Sequence, residues 1–329
     1  MISVNNITKK YARNLAVDHI SFEVQKGEIV GFLGPNGAGK TTTMRMLTCF
    51  LPPTSGTATV AGFDVLEQPL EVKRRIGYLP EAPPLYPEMD TTEYLSFVGK
   101  LKGLSGNELR QRVDYVSERC AITDVGKKLL GKLSKGYRQR VGLAQAIIHN
   151  PDVLILDEPT AGLDPKQINE TRELIRSLAG DHTIVLSTHI LPEVEQTCQK
   201  VIIINKGKLV ATDSVQNLQS RARGAESMVV EVAGRNGNLE PTAVQRRFEQ
   251  LAGVSRVTMK ATRDNRSSFE VEAQKGFTRG DLARAVVESG WDLNELRPAA
   301  MSLEEIFLQL TGEEANAPTE KVAARGAQS

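Results

Sequence analysis

Gly34-Pro35-Asn36-Gly37-Ala38-Gly39-Lys40-Thr41 is the stretch on which the fold of this chain turns. It follows Ile29-Val30-Gly31-Phe32-Leu33, an unbroken apolar run suited to a strand buried on both faces. It precedes Lys40 to Phe50, where Met44, Leu47 and Cys49 recur at helical spacing. Strand, glycine-rich loop and helix form the context in which GxxxxGK[ST] cradles phosphate. The glycines let the backbone curl until successive N–H groups point inward, and the helix adds the positive end of its dipole. On this reading Gly34, Pro35, Asn36, Gly37, Ala38 and Gly39 form the cradle. Lys40 reaches the β- and γ-phosphates, and the Thr41 hydroxyl ligates magnesium. A plain glycine turn before a helix is the simpler alternative, and the loop alone specifies a nucleotide and nothing finer.

A second stretch narrows the choice. Val153-Leu154-Ile155-Leu156-Asp157-Glu158-Pro159-Thr160 is four apolar residues ending in two carboxylates. A buried strand would carry Asp157 to the edge of the sheet beside the phosphate loop, where it can hold the magnesium shell. Glu158, one step further, can act as general base on an attacking water. Without the loop upstream, the run would read as a strand ending in solvated acids. Leu133-Ser134-Lys135-Gly136-Tyr137-Arg138-Gln139-Arg140 opens a helix. Ser134 and Gly136 are there either helix-start chemistry or an anion site made of free N–H groups, a hydroxyl and a dipole. His189, after Ser187-Thr188, is by itself as compatible with a core histidine as with a ligand-binding one.

Composition bounds the remainder. The chain has 329 residues, and 41 Lys+Arg against 40 Asp+Glu leave a net charge of +1, which draws it to neither nucleic acid nor an anionic bilayer. With 40% hydrophobic and 25% charged residues it has the make-up of a globular protein with a sizeable core. Its longest apolar runs fall far short of the roughly 20 residues of a membrane helix. The N-terminus carries no signal-peptide apolar region, and Cys49, Cys120 and Cys198 are too scattered for a disulfide framework or a CxxC metal site. The expectation is a reduced, cytoplasmic protein.

The alternation Ile2, Val4 and Ile20, Phe22, Val24 predicts strands near the N-terminus. Helical spacing from about Thr91 to Ile148 predicts an inserted helical block, residues 88–150, and strands return at Val153–Leu156, Ile184–Leu186 and Val201–Ile204. Alternating strands and helices predict an α/β domain with a parallel sheet over residues 1–220. A composition break at Ser220-Arg221-Ala222-Arg223-Gly224 opens a smaller α+β domain over 221–310. Its strand–helix–strand–strand–helix–strand order resembles a split βαβ arrangement. A last helix at Leu303–Leu310 and a disordered tail over 311–329 complete the expectation.

The ordered set Gly34–Thr42, Leu133–Gln139, Val153–Glu158, Ala161-Gly162-Leu163-Asp164 and His189 resembles the ATP-binding subunit of an ABC transporter, over about residues 1–215. The resemblance implies a P-loop NTPase of ABC type with ATP and magnesium as cofactors. It also implies a head-to-tail dimer, of this chain with itself or with a related ATPase, holding two ATPs at its interface. Lys40, Thr41 and Thr42 would bind phosphates and magnesium, Glu158 would be the base, and His189 would hold the γ-phosphate and the water. Ser134 and Gly136 would contact the partner's γ-phosphate, and Asp164 would link the two sites. Tyr11, otherwise an ordinary half-buried aromatic, would stack on adenine.

Two positions depart from the family pattern. Glu81 stands where glutamine is usual; a carboxylate there can still ligate magnesium but adds negative charge beside ATP. Lys135 replaces a glycine of the usual LSGGQ segment, which retains Ser134 and Gly136.

The resemblance also implies a separate multi-span membrane permease as partner, with this chain held at the inner face of the cell membrane and no nucleic acid bound. The stiff, proline-rich segment Pro80–Asp90 lies where the family docks its permease, although a merely structured loop would look the same. Ala300-Met301-Ser302-Leu303-Glu304-Glu305-Ile306-Phe307-Leu308-Gln309-Leu310 is similar to exporter subunits of the drug-resistance and gliding-motility type, and Glu81 is familiar in the latter. Export is therefore expected. The competing reading, a soluble ABC-type ATPase acting on ribosomes or DNA, usually brings two ATPase cores or a long coiled coil, and this chain shows one core and no sustained heptads. A metabolic P-loop kinase would not need the Ser134 segment.

Overall fold

The computed structural model describes residues 1–221, 226–235, 239–263, 265–274, 276–298 and 307. The chain divides into two compact units, Met1–Val215 and Gln216–Ser329.

In the first unit, β1 (Ile2–Tyr11), β2 (Asn14–Val24) and β3 (Ile29–Leu33) lead into α1 (Lys40–Leu47). Next come β4 (Ser55–Val60), β5 (Phe63–Asp64), α2 (Pro69–Arg75) and β6 (Ile76–Leu79). A helical block follows: α3 (Thr91–Leu101), α4 (Gly106–Arg119) and α5 (Lys135–Ile147). The chain then alternates through β7 (Val153–Asp157), α6 (Pro165–Ser177), β8 (Thr183–Thr188), α7 (Leu191–Thr197), β9 (Lys200–Asn205) and β10 (Lys208–Ser214).

These strands make two sheets. One is antiparallel, ordered β2-β1-β4-β5; the other is ordered β10-β9-β3-β8-β7-β6, parallel from β9 to β6 with β10 as an antiparallel edge. Every residue of β3, β7 and β8 is buried, the reason β3 and β7 carry the apolar runs Ile29–Leu33 and Val153–Leu156 and β8 carries Ile184–Leu186 between polar residues. Alternation in β1 and β2 marks strands open on one face, which pack onto the parallel sheet instead of joining it. Ile2, Ile7 and Phe22 share a core with Phe32, Met44 and Ile155, and the rings of Phe22 and Phe32 lie 5.5 Å apart.

Helix α1 stops short of the expected Phe50. Cys49 takes a left-handed φ of 55°, its N–H bonds to the Met46 carbonyl, and that of Phe50 bonds back to Arg45 at 2.9 Å. This closes the helix in a Schellman turn without a glycine and leaves the Phe50 ring 73% exposed. The helical block begins on a capping box in which Asp90 accepts from the Glu93 N–H at 2.8 Å.

Strand register sets the site. Leu33 lies opposite Thr188, and Asp157 opposite Ser187. The phosphate loop after β3, Glu158 after β7 and His189 after β8 therefore leave the same carboxyl edge of the parallel sheet, where open α/β sheets bind ligands.

The division at Val215 falls before the expected boundary at 220. Helix α8 (Val215–Arg221) runs across that interval, so the composition break marks the end of a helix. The second unit then holds β11 (Glu226–Gly234), α9 (Pro241–Glu249), β12 (Val254–Arg263), β13 (Arg266–Ala273), α10 (Arg279–Glu288) and β14 (Trp291–Pro298). Its sheet, ordered β12-β13-β11-β14 with every pairing antiparallel, is the split βαβ arrangement. Phe248 packs edge-on to Phe269 and Trp291, with centroids 5.7 and 6.1 Å away. The expected helix at 303–310, apart from Phe307, and the expected tail at 311–329 lie outside the described residues.

Candidate nucleotide site

The phosphate loop is seated by close backbone approach. A Cβ on Gly34 would stand 2.4 Å from the Ile204 carbonyl oxygen, and one on Gly39, at φ 108°, would stand 2.6 Å from that of Ala16. Only glycine fits either position. The turn between β9 and β10 braces the loop from outside, for the Gly207 N–H donates to the Ala38 carbonyl at 2.9 Å.

Lys40 lies nearly buried at the start of α1, its ammonium donating to the Gly34 carbonyl at 2.8 Å and standing 3.4 Å from Glu158 Oε1. On its other side, the Glu158 carboxylate is met by His189 Nδ1 at 2.9 and 3.0 Å. Glu158 itself has φ 49°, a left-handed conformation that costs a glutamate energy. The conformation is held by a hydrogen bond from its N–H to the Ser187 carbonyl at 3.0 Å. Asp157, fully buried, accepts from Thr41 Oγ1 at 3.3 Å and from the Ser187 hydroxyl. Tyr78, below this cluster, has its hydroxyl pKa pushed up to about 12, mainly by burial and further by the Asp157 charge.

Lys40, Thr41, Glu158 and His189 line a cleft of about 720 Å³, while Asp157 lies buried behind it. Of the sequence-predicted residues, the cleft brings together Tyr11, Asn36, Gly37, Gly39, Lys40, Thr41, Thr42, Glu81, Glu158 and His189. Tyr11 is 42% exposed at its rim. Gly34, Pro35 and Ala38 complete the loop behind it.

Three predicted residues stand elsewhere on the unit. Ser134 caps α5, accepting from the Tyr137 N–H at 3.4 Å, and Gly136 lines a separate cleft with Tyr137, Arg140 and Gln167. Asp164 caps α6, accepting from the Gln167 N–H at 2.9 Å. Both ends are linked within the chain, since a Cβ on Gly136 would meet the Gln167 side chain and one on Gly162 would stand 2.2 Å from Lys135 Nζ. Lys135 thus lays its ammonium over the loop that leads to Asp164.

Sequence reasoning missed part of the lining. Asn14, Leu15 and Ala16 from the β1–β2 hairpin and Lys206 and Gly207 from the β9–β10 turn also face the cleft. Lys206-Gly207 between two strand patterns signals a turn and nothing more.

A strand–loop–helix phosphate cradle, a buried lysine and a carboxylate held between that lysine and a histidine define a P-loop nucleoside-triphosphatase site. Comparison with known proteins makes this specific. The ABC transporter family profile matches residues 17–161. The bacitracin transport ATP-binding protein BcrA of Bacillus licheniformis is 36% identical over 322 residues, 95% of this chain and 97% of that protein. The Nod factor export ATP-binding protein I of Burkholderia thailandensis is 34% identical over 318 residues, 95% of this chain and 97% of that protein. A solved ATP-binding subunit of an ABC transporter matches with a TM-score of 0.63 at 28% identity, over 68% of this chain and 93% of that one. The chain belongs to the ABC transporter family, as an ATP-binding subunit that hydrolyses ATP. Names that speak of transport and export disfavour the soluble ribosome- or DNA-acting alternative.

Proposed function

We propose that this subunit powers export through a separate multi-span permease, hydrolysing ATP at two composite sites of a head-to-tail dimer. The observation that carries the hydrolytic part is the Glu158 carboxylate, set 3.4 Å from Lys40 and 2.9 Å from His189 on the wall of the cleft. There Glu158 accepts a proton from the attacking water, while His189 orients that water and the γ-phosphate. Lys40 and the backbone N–H groups of Gly37 and Gly39 neutralise the phosphates, and Tyr11 at the rim stacks on adenine.

Magnesium fits the oxygen-rich edge of this site. Thr41 and Asp157 present hard oxygen donors to one another, and Glu81 adds a carboxylate to the cleft wall. Among the described residues no group of three His, Cys, Asp or Glu gathers around a point. When bound, the ion would screen charge that develops on the transferred phosphoryl group.

Ser134, Gly136 and Asp164 support the dimer. Ser134 and Asp164 are exposed at the starts of α5 and α6, away from the cleft of their own chain, as residues donated to a neighbour's site would be; Gly136 is buried beneath the Gln167 side chain. The permease reading rests on the relatives' names and on a groove beside the helical block. That groove, about 220 Å³, is lined by Phe50, Lys73, Tyr78, Val98, Lys102 and His149. Close by, Tyr86 of the proline-rich segment packs edge-on to Phe97 at 5.8 Å, and Phe50, Leu70 and Leu101 are each at least 70% exposed. No described helix is long and apolar enough to cross a membrane. On this reading the permease supplies the path for cargo and holds this chain at the inner face of the cell membrane.

Affinity capture of the full chain from native membranes tests the export reading. A multi-span permease recovered in stoichiometric amount supports it; ribosomal or DNA-repair proteins in its place would overturn it.

A further inference from the structure

Helix α7 carries a glutamate that the reaction scheme above does not use. Glu193 is 1% exposed, in a short helix that begins just after His189. Its Oε2 accepts from Thr188 Oγ1 at 2.8 Å, and its Oε1 accepts from the Thr160 hydroxyl. Both threonines are themselves buried. Thr188 also accepts from the Ile190 N–H at 3.0 Å, which folds the chain tightly around His189. Arg172 of α6, the helix capped by Asp164, brings its Nη2 to 4.0 Å from Oε1.

Burying a carboxylate costs several kcal/mol unless donors surround it. An ordinary apolar residue would fill the same space without that cost. What the carboxylate supplies is two fixed acceptor directions. One holds the segment two residues beyond Glu158, and the other holds the residue immediately before His189.

We infer that Glu193 is a positioning residue of the hydrolysis site, clamping the Glu158 and His189 segments together so that carboxylate and imidazole keep their 2.9–3.0 Å approach. The inference rests on the proposed roles of Glu158 and His189. Glu193 is not among the residues that line the cleft. It acts through Thr160 and Thr188, and its contact with Arg172 ties the same clamp to α6.

The test is single-turnover hydrolysis of ATP with magnesium by the full chain, with the rate expressed per bound nucleotide and affinity for a fluorescent ATP analogue measured alongside. Glu193→Ala and the nearly isosteric Thr188→Val are expected to slow turnover per bound nucleotide by about 10- to 100-fold, the scale of a misplaced catalytic group. Nucleotide affinity should stay within about twofold, because the phosphate cradle is untouched. Glu193→Gln, which keeps one acceptor, should fall between the wild type and Glu193→Ala. A merely structural role would lower the amount of nucleotide bound and leave the rate per bound nucleotide unchanged, and that result would overturn the inference. Should Glu193→Ala fail to fold, Thr188→Val decides by the same criterion. Glu158→Gln run in parallel separates the two layers: if it turns over normally, the reading of the site is wrong. If it is inactive while Thr188→Val and Glu193→Ala are unimpaired per bound nucleotide, only the clamp is refuted.

Discussion

The two units of this chain treat buried polarity in opposite ways. In the ATPase unit Lys40, Asp157, Glu158, Ser187, Thr188 and Glu193 are all buried, most of them at the carboxyl edge of one sheet. In the second unit Ser267 is the buried polar residue among those described, its hydroxyl 3.2 Å from that of Thr262, and the core is Phe248, Phe269, Val230, Val271, Leu282 and their neighbours. A core of the second kind needs only volume and pattern. One of the first kind retains charges that could be replaced at a gain in stability, so its charges report chemistry. The ATPase unit has spent stability on a site; the other, among its described residues, has not.

The sharpest way to break that contrast is Glu158→Gln. Removing the base while keeping the shape should lower turnover by about 10²–10⁴-fold. ATP and magnesium should still bind, and the variant should accumulate as an ATP-bound dimer in light scattering after gel filtration. A variant that remains monomeric at saturating ATP and magnesium would refute the shared-site arrangement in which Ser134 and Asp164 serve a neighbouring chain.

Phe248→Ala is the converse experiment. It empties a position where three aromatic rings meet and should cost the second unit about 3–5 kcal/mol, seen as an earlier unfolding step in calorimetry. ATP affinity should be unaltered. A matching loss of nucleotide binding would show that the contrast between the units is not functional.

How much could be read beforehand follows the same division. Strands β3, β7 and β8 are legible because burial on both faces leaves the apolar stretches Ile29–Leu33, Val153–Leu156 and Ile184–Leu186, and the phosphate loop because its glycines are demanded by backbone contacts at Ile204 and Ala16. The separate sheet of β1, β2, β4 and β5 is not legible: alternation announces a strand but not its partner. Nor is the end of α1, since Cys49 takes the left-handed turn that a glycine would have signalled. Glu193 hides most completely. In Leu191-Pro192-Glu193-Val194 it looks like a surface helix residue, and its burial comes from Thr160, 33 residues away. Ser134 is legible as a helix cap, and it accepts from the Tyr137 N–H; Asp164, which caps α6, is singled out only by the family resemblance, as is the service of both residues to a second chain.

His149 offers the smallest test, because it is a partly buried polar group of the ATPase unit that stands outside the catalytic cleft. Its Nε2 donates to the Ile76 carbonyl at 3.1 Å, and its Nδ1 is buried with no hydrogen-bond partner. A proton on Nδ1 would place a charge in a poorly solvated position facing Lys102 and Arg112. Desolvation first, then the Lys102 charge, pull the pKa from 6.5 down to about 4. The folded-state value lies below the unfolded one, so as pH falls through about 6.5 the unfolded chain takes up the proton first. The neutral imidazole therefore contributes fully above that pH, loses its contribution progressively down to about 4, and changes nothing below. The whole shift corresponds to about 3 kcal/mol, of which about 2 kcal/mol should be lost between pH 6.5 and 5. His149→Gln retains a donor for Ile76 and cannot titrate. Urea unfolding at pH 7 and pH 5 should show the wild type losing about 2 kcal/mol more than the variant. Equal losses would mean that this ring is protonated as readily in the fold as out of it, and that the ATPase unit confines its costly polar burial to the catalytic edge.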